Sequence, residues 1–191
     1  AMVTNKKTNL FHSNVSHYEL MRDLNRQWRQ WTIDEPAVFI TFNGMSYDEE
    51  LVRRQFYWNL FESYLTNTNG NGRLDILLMM NNIAAFSPDV LNIPLFDGGP
   101  GISLKQADIA EANGIEIGDA HDAIADCKLM IGLLEKINSK KPELIDFFLS
   151  ISTKPGIQAA VEQPGFLALG EVFRREILSL IHISEPTRLL A

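Results

Sequence analysis

Ala37-Val38-Phe39-Ile40-Thr41-Phe42-Asn43-Gly44-Met45-Ser46-Tyr47-Asp48 is the stretch on which the reading of this chain turns. Its first six residues are mostly β-branched or aromatic and end at Asn-Gly, which predicts a short buried strand. Pro36 closes the helical region before it, because the residue preceding a proline is pushed to extended geometry. Beyond the loop, Asp48 opens a pattern with apolar residues at Leu51, Val52, Phe56 and Leu60, the spacing of an amphipathic helix. Strand, loop and helix in that order make an α/β arrangement, and in open α/β sheets ligands gather at the carboxyl ends of strands. An aspartate at a helix start is ordinarily a cap or a charge opposing the helix dipole. A functional reading of Asp48 therefore needs a partner elsewhere in the chain.

His121-Asp122-Ala123-Ile124-Ala125-Asp126 offers one. The histidine leaves a loop and Asp126 follows a turn and a half into a helix, so a proton acceptor and a hard-metal ligand share one helix end. Ala123, Cys127, Met130, Leu134 and Ile137 recur at helical spacing and are expected to form its buried stripe.

The remaining segments frame these two places. Ser16-His17-Tyr18-Glu19 has capping-box spacing, and the helix it opens carries Met21, Leu24, Trp28 and Trp31 on one apolar face. Two tryptophans on one stripe can stack on bases, but core packing is the ordinary role. Thr66 to Gly72 is a polar loop, and a helix is expected from Arg73 through Leu77 and Met80. Prolines 88, 94 and 100 with Gly98-Gly99 mark an irregular connection. Ser103 is expected to cap a helix that Asn113-Gly114 closes with a left-handed residue. Pro142 restarts a short apolar helix over Leu144–Leu149, and after Ile151 come short mixed segments around Pro155-Gly156 and Pro164-Gly165.

With 46% hydrophobic residues, 191 residues suffice for one packed core and a little more. A formal charge of −7, from 24 acidic and 17 basic residues, argues against a broad electrostatic grip on duplex nucleic acid. It leaves room for a cleft that holds a few nucleotides through divalent cations, which reverse the local field. A single cysteine, Cys127, cannot form an intrachain disulfide, so a reducing cytoplasm is expected. No apolar run approaches the roughly 20 residues of a spanning helix.

Three blocks now stand in order: Asn43-x-x-x-Tyr47-Asp48, Ser103-Leu104-Lys105 with Gly114-Ile115, and His121-Asp-Ala-x-Ala-Asp126. Together they resemble the second and third exonuclease motifs of the DEDDh family of 3′→5′ exonucleases, above all its bacterial exonuclease I branch, which digests single-stranded DNA. Phe56-Tyr57, Ala112-Asn113-Gly114-Ile115-Glu116 and Pro142-x-Leu144-x-Asp146 strengthen the likeness, which covers residues 37 to 175. The resemblance implies an α/β fold: a ribonuclease-H-like exonuclease domain lacking its first strands, with a helix-rich remainder. It also implies two Mg²⁺ or Mn²⁺ ions, with Asp48 and Asp126 as metal ligands and His121 as general base. Tyr47, Leu104 and Lys105 fall by position at the terminal-nucleotide pocket. Single-stranded DNA is the implied partner, with no membrane association and a monomeric state.

One departure stands out. The family's first motif, Asp-x-Glu on the first strand, has no counterpart before residue 37. The expected organisation is therefore a partial exonuclease domain over 1–150 and the start of a following segment over 151–177. Residues 178–191 read as translation of a transposon-type sequencing adaptor and are set aside from fold reasoning. Such a fragment is expected to be inactive by itself. A non-catalytic nucleic-acid-binding or interaction remnant is the competing expectation, and proofreading or short-RNA members of the family are the enzymatic alternatives.

Overall fold

A computed structural model describes residues 14–116, 123–163, 165–173 and 176–184. The first element, α1 (His17–Trp31), begins as its sequence demands. The Ser16 hydroxyl accepts from the Glu19 amide, and the Glu19 carboxylate accepts from the Ser16 amide. Met21 is buried and Trp28 packs edgewise on Phe56 and against Phe39, but Trp31 is 61% exposed. The expected apolar face stops one turn early because Asn25, not Trp31, turns inward.

Strand β1 (Val38–Thr41) leads into α2 (Asp48–Trp58), as expected from the opening stretch. The strand is half-buried rather than sealed on both faces: Ile40 remains 39% exposed. Phe56 anchors α2 at 1% exposure, whereas Leu60 lies beyond the helix, in a left-handed conformation (φ 61°) and 94% exposed.

Residues 72 to 75 depart from expectation. Instead of starting a helix at Arg73, Gly72–Asp75 form β2, which pairs in parallel with β1 in the register Val38–Gly72, Phe39–Arg73, Ile40–Leu74 and Thr41–Asp75. Helical spacing from Leu77 onward is correct, but the pairing available from β1 claims the four residues ahead of it. Asp75 then ends the strand and caps α3 (Ile76–Phe86) by accepting from the Leu77 amide at 3.0 Å.

Helix α3 is the centre of the core. Ile76, Met79, Met80 and Ile83 are at most 1% exposed and cluster with Val90, Leu91, Ile109, Leu133, Ile137 and Phe148. These partners belong to the connection after α3, to α4 (Gln106–Ala112), to α5 (Ala123–Lys140) and to α6 (Pro142–Ser150). Gly114 closes α4 with φ 68°, as its sequence foretold. Ser103 does not cap it. The helix starts at Gln106, and the buried Ser103 hydroxyl bonds the Asp108 carboxylate in its first turn.

The buried stripe of α5 matches the expected one only in its later part: Ile137 is buried and Met130 and Leu134 pack against the core, as expected. Leu129, Leu133 and Ile137 face the core, while Ala123 and Cys127 are exposed. Leu129 and Leu133 take the buried places expected for Ala123 and Cys127, because a leucine buries more apolar area than an alanine or a cysteine.

The Pro155-Gly156 pair lies inside a helix, α7 (Lys154–Glu162), where Pro155 occupies the first turn and needs no amide hydrogen. Two strands follow, β3 (Gly165–Phe173) and β4 (Glu176–Ser184), antiparallel from Gly165–Ser184 to Phe173–Glu176. Residues 178–184, set aside on sequence grounds, thus occupy most of β4. Gly170 of β3 donates its amide to the Asn82 side chain of α3 at 2.9 Å. Among the described residues, no helix is long and apolar enough to cross a membrane.

Candidate metal and nucleic-acid site

The β1–α2 loop is a tight construction. Asn43 adopts a left-handed conformation (φ 60°), which asparagine tolerates better than most residues. Gly44 follows so closely over Thr41 that a β-carbon there would meet the threonine Cβ at 2.4 Å. A single helical turn, Gly44–Ser46, then delivers Tyr47 and Asp48 to the start of α2.

What holds this loop is Asp75. Its Oδ1 accepts from the Asn43 amide at 2.7 Å and its Oδ2 from the Met45 amide at 3.1 Å, in addition to capping α3. With 4% exposure, the carboxylate spends its hydrogen-bonding capacity on backbone donors that would otherwise be bare. Sequence reasoning missed this residue. The available signal was an aspartate directly before a continuous apolar run, the ordinary mark of a helix cap.

Of the three carboxylates that open α2, two are committed. Glu49 pairs with Arg73 at 2.6 Å, and Glu50 pairs with both Arg53 and Arg54. Asp48 is exposed and has no hydrogen bond or ion pair among the described residues. Tyr47, 68% exposed, stands beside it. Asp48, Glu49, Thr41 and Val52 line a cavity of about 210 Å³ with Trp28, Phe39, Ile40 and Thr66. Two buried oxygens there, Thr41 Oγ1 and Glu49 Oε1, have no hydrogen-bond partner.

The other expected residues form a second group. Asp126 is half-buried in the first turn of α5, and its carboxylate is likewise uncommitted among the described residues. Its backbone carbonyl accepts from Gln106 Nε2 at 2.6 Å, which ties the start of α5 to the start of α4 and so to Leu104 and Lys105. Lys105 is exposed, while Leu104 is half-buried and packs against the core. Among the described residues, no hydrogen bond or ion pair joins this group to Tyr47 and Asp48, and no three His, Cys, Asp or Glu side chains cluster tightly enough to hold a metal. His121 lies outside the described residues.

The donor set itself fits a hard cation. Asp48 and Asp126 are carboxylates in the first turns of helices, uncommitted among the described residues, and oxygen ligands of this kind suit Mg²⁺ or Mn²⁺.

No family model matches the chain. It is 31% identical over 136 residues to exodeoxyribonuclease I of Escherichia coli, covering 70% of this chain and 28% of that protein. It is 34% identical over 123 residues to exodeoxyribonuclease I of Haemophilus influenzae, covering 63% of this chain and 26% of the relative. A crystal structure of E. coli exonuclease I in complex with a dA16 oligonucleotide superposes with a TM-score of 0.68 at 25% identity, over 80% of this chain and 32% of that one. The chain thus spans less than a third of the curated relatives it matches. Over 70% of its own length the chain is similar in sequence to one portion of exodeoxyribonuclease I, and over 80% of it the chain shares the fold of that protein.

Proposed function

We propose that this chain supplies the second and third motif regions of a metal-dependent 3′→5′ exonuclease that releases mononucleotides from single-stranded DNA in the cytoplasm. One observation carries the reading: of the three acidic residues opening α2, the one left without a partner among the described residues is Asp48, where the motif puts a metal ligand. Asp126, equally uncommitted, holds the corresponding place on α5.

In this reading Asp48 and Asp126 would hold Mg²⁺ or Mn²⁺ through carboxylate oxygens, and His121 would accept the proton of the attacking water. A divalent ion bound there would supply acidification of water and neutralisation of the charge on the departing 3′ oxygen. Tyr47 offers an exposed ring face to the terminal base, and Lys105 offers an ammonium group to a phosphate. Leu104, being packed on the core, contributes only an apolar edge to the pocket.

The test is direct. The 191-residue chain alone is expected to release little or no mononucleotide. Joined to upstream strands that carry an Asp-x-Glu motif, it should digest single-stranded DNA in Mg²⁺, and His121→Ala should abolish that activity. A joined protein unable to digest any single strand overturns the proposal. That outcome would favour the second reading, a non-catalytic nucleic-acid-binding or interaction module.

A further inference from the structure

Two side chains of β2 converge on the surroundings of Asp48 from both directions along the chain. Asp75 bonds the amides of Asn43 and Met45, five and three residues before it. Arg73 bonds Glu49, the residue directly after it. Residues 73 and 75 are two apart on one strand and so project to the same face of the sheet. The backbone segment that carries Asp48 is therefore tethered on either side to one short strand, while the Asp48 carboxylate itself has no hydrogen bond or ion pair among the described residues.

We infer that Arg73 and Asp75 are positioning residues, whose work is to set where the Asp48 carboxylate stands at the carboxyl end of β1. The inference rests on the reading of Asp48 as a metal ligand only for its chemical consequence. Its mechanical content stands on the hydrogen bonds alone.

The arrangement goes beyond helix capping. A cap on α3 needs only the Leu77 amide, yet Asp75 directs both oxygens to the neighbouring loop as well. The loop needs such a fastening because its backbone is unfavourable locally: Asn43 is left-handed and Gly44 crowds Thr41. Without the carboxylate, the amides of Asn43 and Met45 lose their acceptor, and the turn that orients α2 loses its register against β1. Arg73 restrains the other side. It takes Glu49 Oε2 and so keeps that neighbouring carboxylate, only 12% exposed, from competing for whatever Asp48 binds. Partners of this kind orient a ligand without touching the ligand's target, and their loss typically lowers metal affinity about 10- to 100-fold.

The experiment uses the whole chain, labelled with ¹⁵N, in three forms: unsubstituted, Asp75→Asn and Arg73→Gln. Asp75→Asn keeps the shape but faces one amide donor of the loop with another donor. Arg73→Gln is the second variant because it leaves the buried Asp75 cap intact, and the cost of releasing Glu49 is followed through the core signals. Amide exchange and chemical shifts of residues 43 to 50 are read first, with the core signals of Ile83 and Leu133 as the control for folding. Expected is faster exchange at Asn43 and Met45 in Asp75→Asn and shifted signals at 48 to 50 in Arg73→Gln, with the core unchanged. Loop signals unchanged in both variants overturn the inference.

Mn²⁺ titration, followed by paramagnetic broadening at Asp48, is read second. Expected is an apparent affinity about 10-fold or more weaker in either variant, with Arg54→Gln, which alters only the Glu50 pair, left as the unsubstituted chain. Broadening at Asp48 that is equal in all forms also overturns the inference while leaving the metal-ligand reading intact. Absence of broadening at Asp48 in the unsubstituted chain removes that reading instead, and the exchange data still decide whether the tethers act.

Discussion

Arg73 Nη1 lies 2.6 Å from Glu49 Oε2, joining the second residue of β2 to the second residue of α2 across the end of the parallel pair. The pair is not a surface decoration, since the two side chains are 31% and 12% exposed, and the other Glu49 oxygen is buried without a partner. Arg73→Met leaves that carboxylate without compensation. We expect a loss of about 1–3 kcal/mol in urea denaturation. Adding Glu49→Gln should recover part of it, because a neutral amide costs less to leave unpaired.

Asp48 and Glu50 provide the sharpest contrast for chemistry. Both are acidic residues in the same helical turn, but among the described residues Glu50 is held by two arginines and Asp48 by none. In a nuclease-competent form of the protein, Asp48→Asn should lower the rate of mononucleotide release by about a thousandfold or more, an effect on the scale of lost transition-state electrostatics. Glu50→Gln should leave the rate within about threefold, consistent with exposed ion pairs contributing little. Equal losses in the two variants would remove the distinction.

Gly44 has no room for a side chain. A β-carbon would come within 2.4 Å of Thr41 Cβ, and the atoms it meets belong to a strand residue paired with Asp75, not to the free end of a flexible chain. Gly44→Ala should therefore cost about 1–3 kcal/mol. The same variant should accelerate amide exchange at Asn43 and Met45, since the loop must lift from Asp75 to make space.

The face that α5 turns inward can be tested by truncation and by thiol chemistry. Leu133 is fully buried and Ile131 is 55% exposed. Leu133→Ala should destabilise by about 2–5 kcal/mol, and Ile131→Ala by less than about 0.5 kcal/mol. Cys127, on the exposed side, should react with a disulfide reagent stoichiometrically without denaturant. Reaction only after unfolding would restore the stripe expected from sequence.

The capping box of α1 carries a pH dependence whose sign can be worked out. Hydrogen bonds from the Ser16 amide and hydroxyl hold the Glu19 carboxyl below its ordinary value of 4.5. A depressed carboxyl contributes its stability above the unfolded value and loses it as the pH falls through the folded one. Acidification from about pH 5 downward should thus fray the first turn of α1, seen as accelerated amide exchange at Glu19. Glu19→Gln should largely flatten that local pH response.

What the sequence determined by itself were features set by neighbours along the chain. The capping box at Ser16–Glu19, the strand before Asn43, the helix opening at Asp48, the left-handed close at Gly114 and the order of the motif blocks all arise from contacts within a few residues, so their signals survive without a fold. Helix phase was less legible: Met130, Leu134 and Ile137 of α5 face the core as their spacing predicts, but Ala123 and Cys127 face outward while the cluster around α3 takes in Leu133 instead. The tertiary structure alone decided that Gly72–Asp75 is a strand and that Asp75 grips a loop about thirty residues earlier, because four residues have no strand preference until β1 presents a free row of amides and carbonyls to pair with. Asp48 is legible as a carboxylate at a helix start, but that it stands free while Glu49 and Glu50 are claimed is a fact of where Arg73, Arg53 and Arg54 come to rest in space.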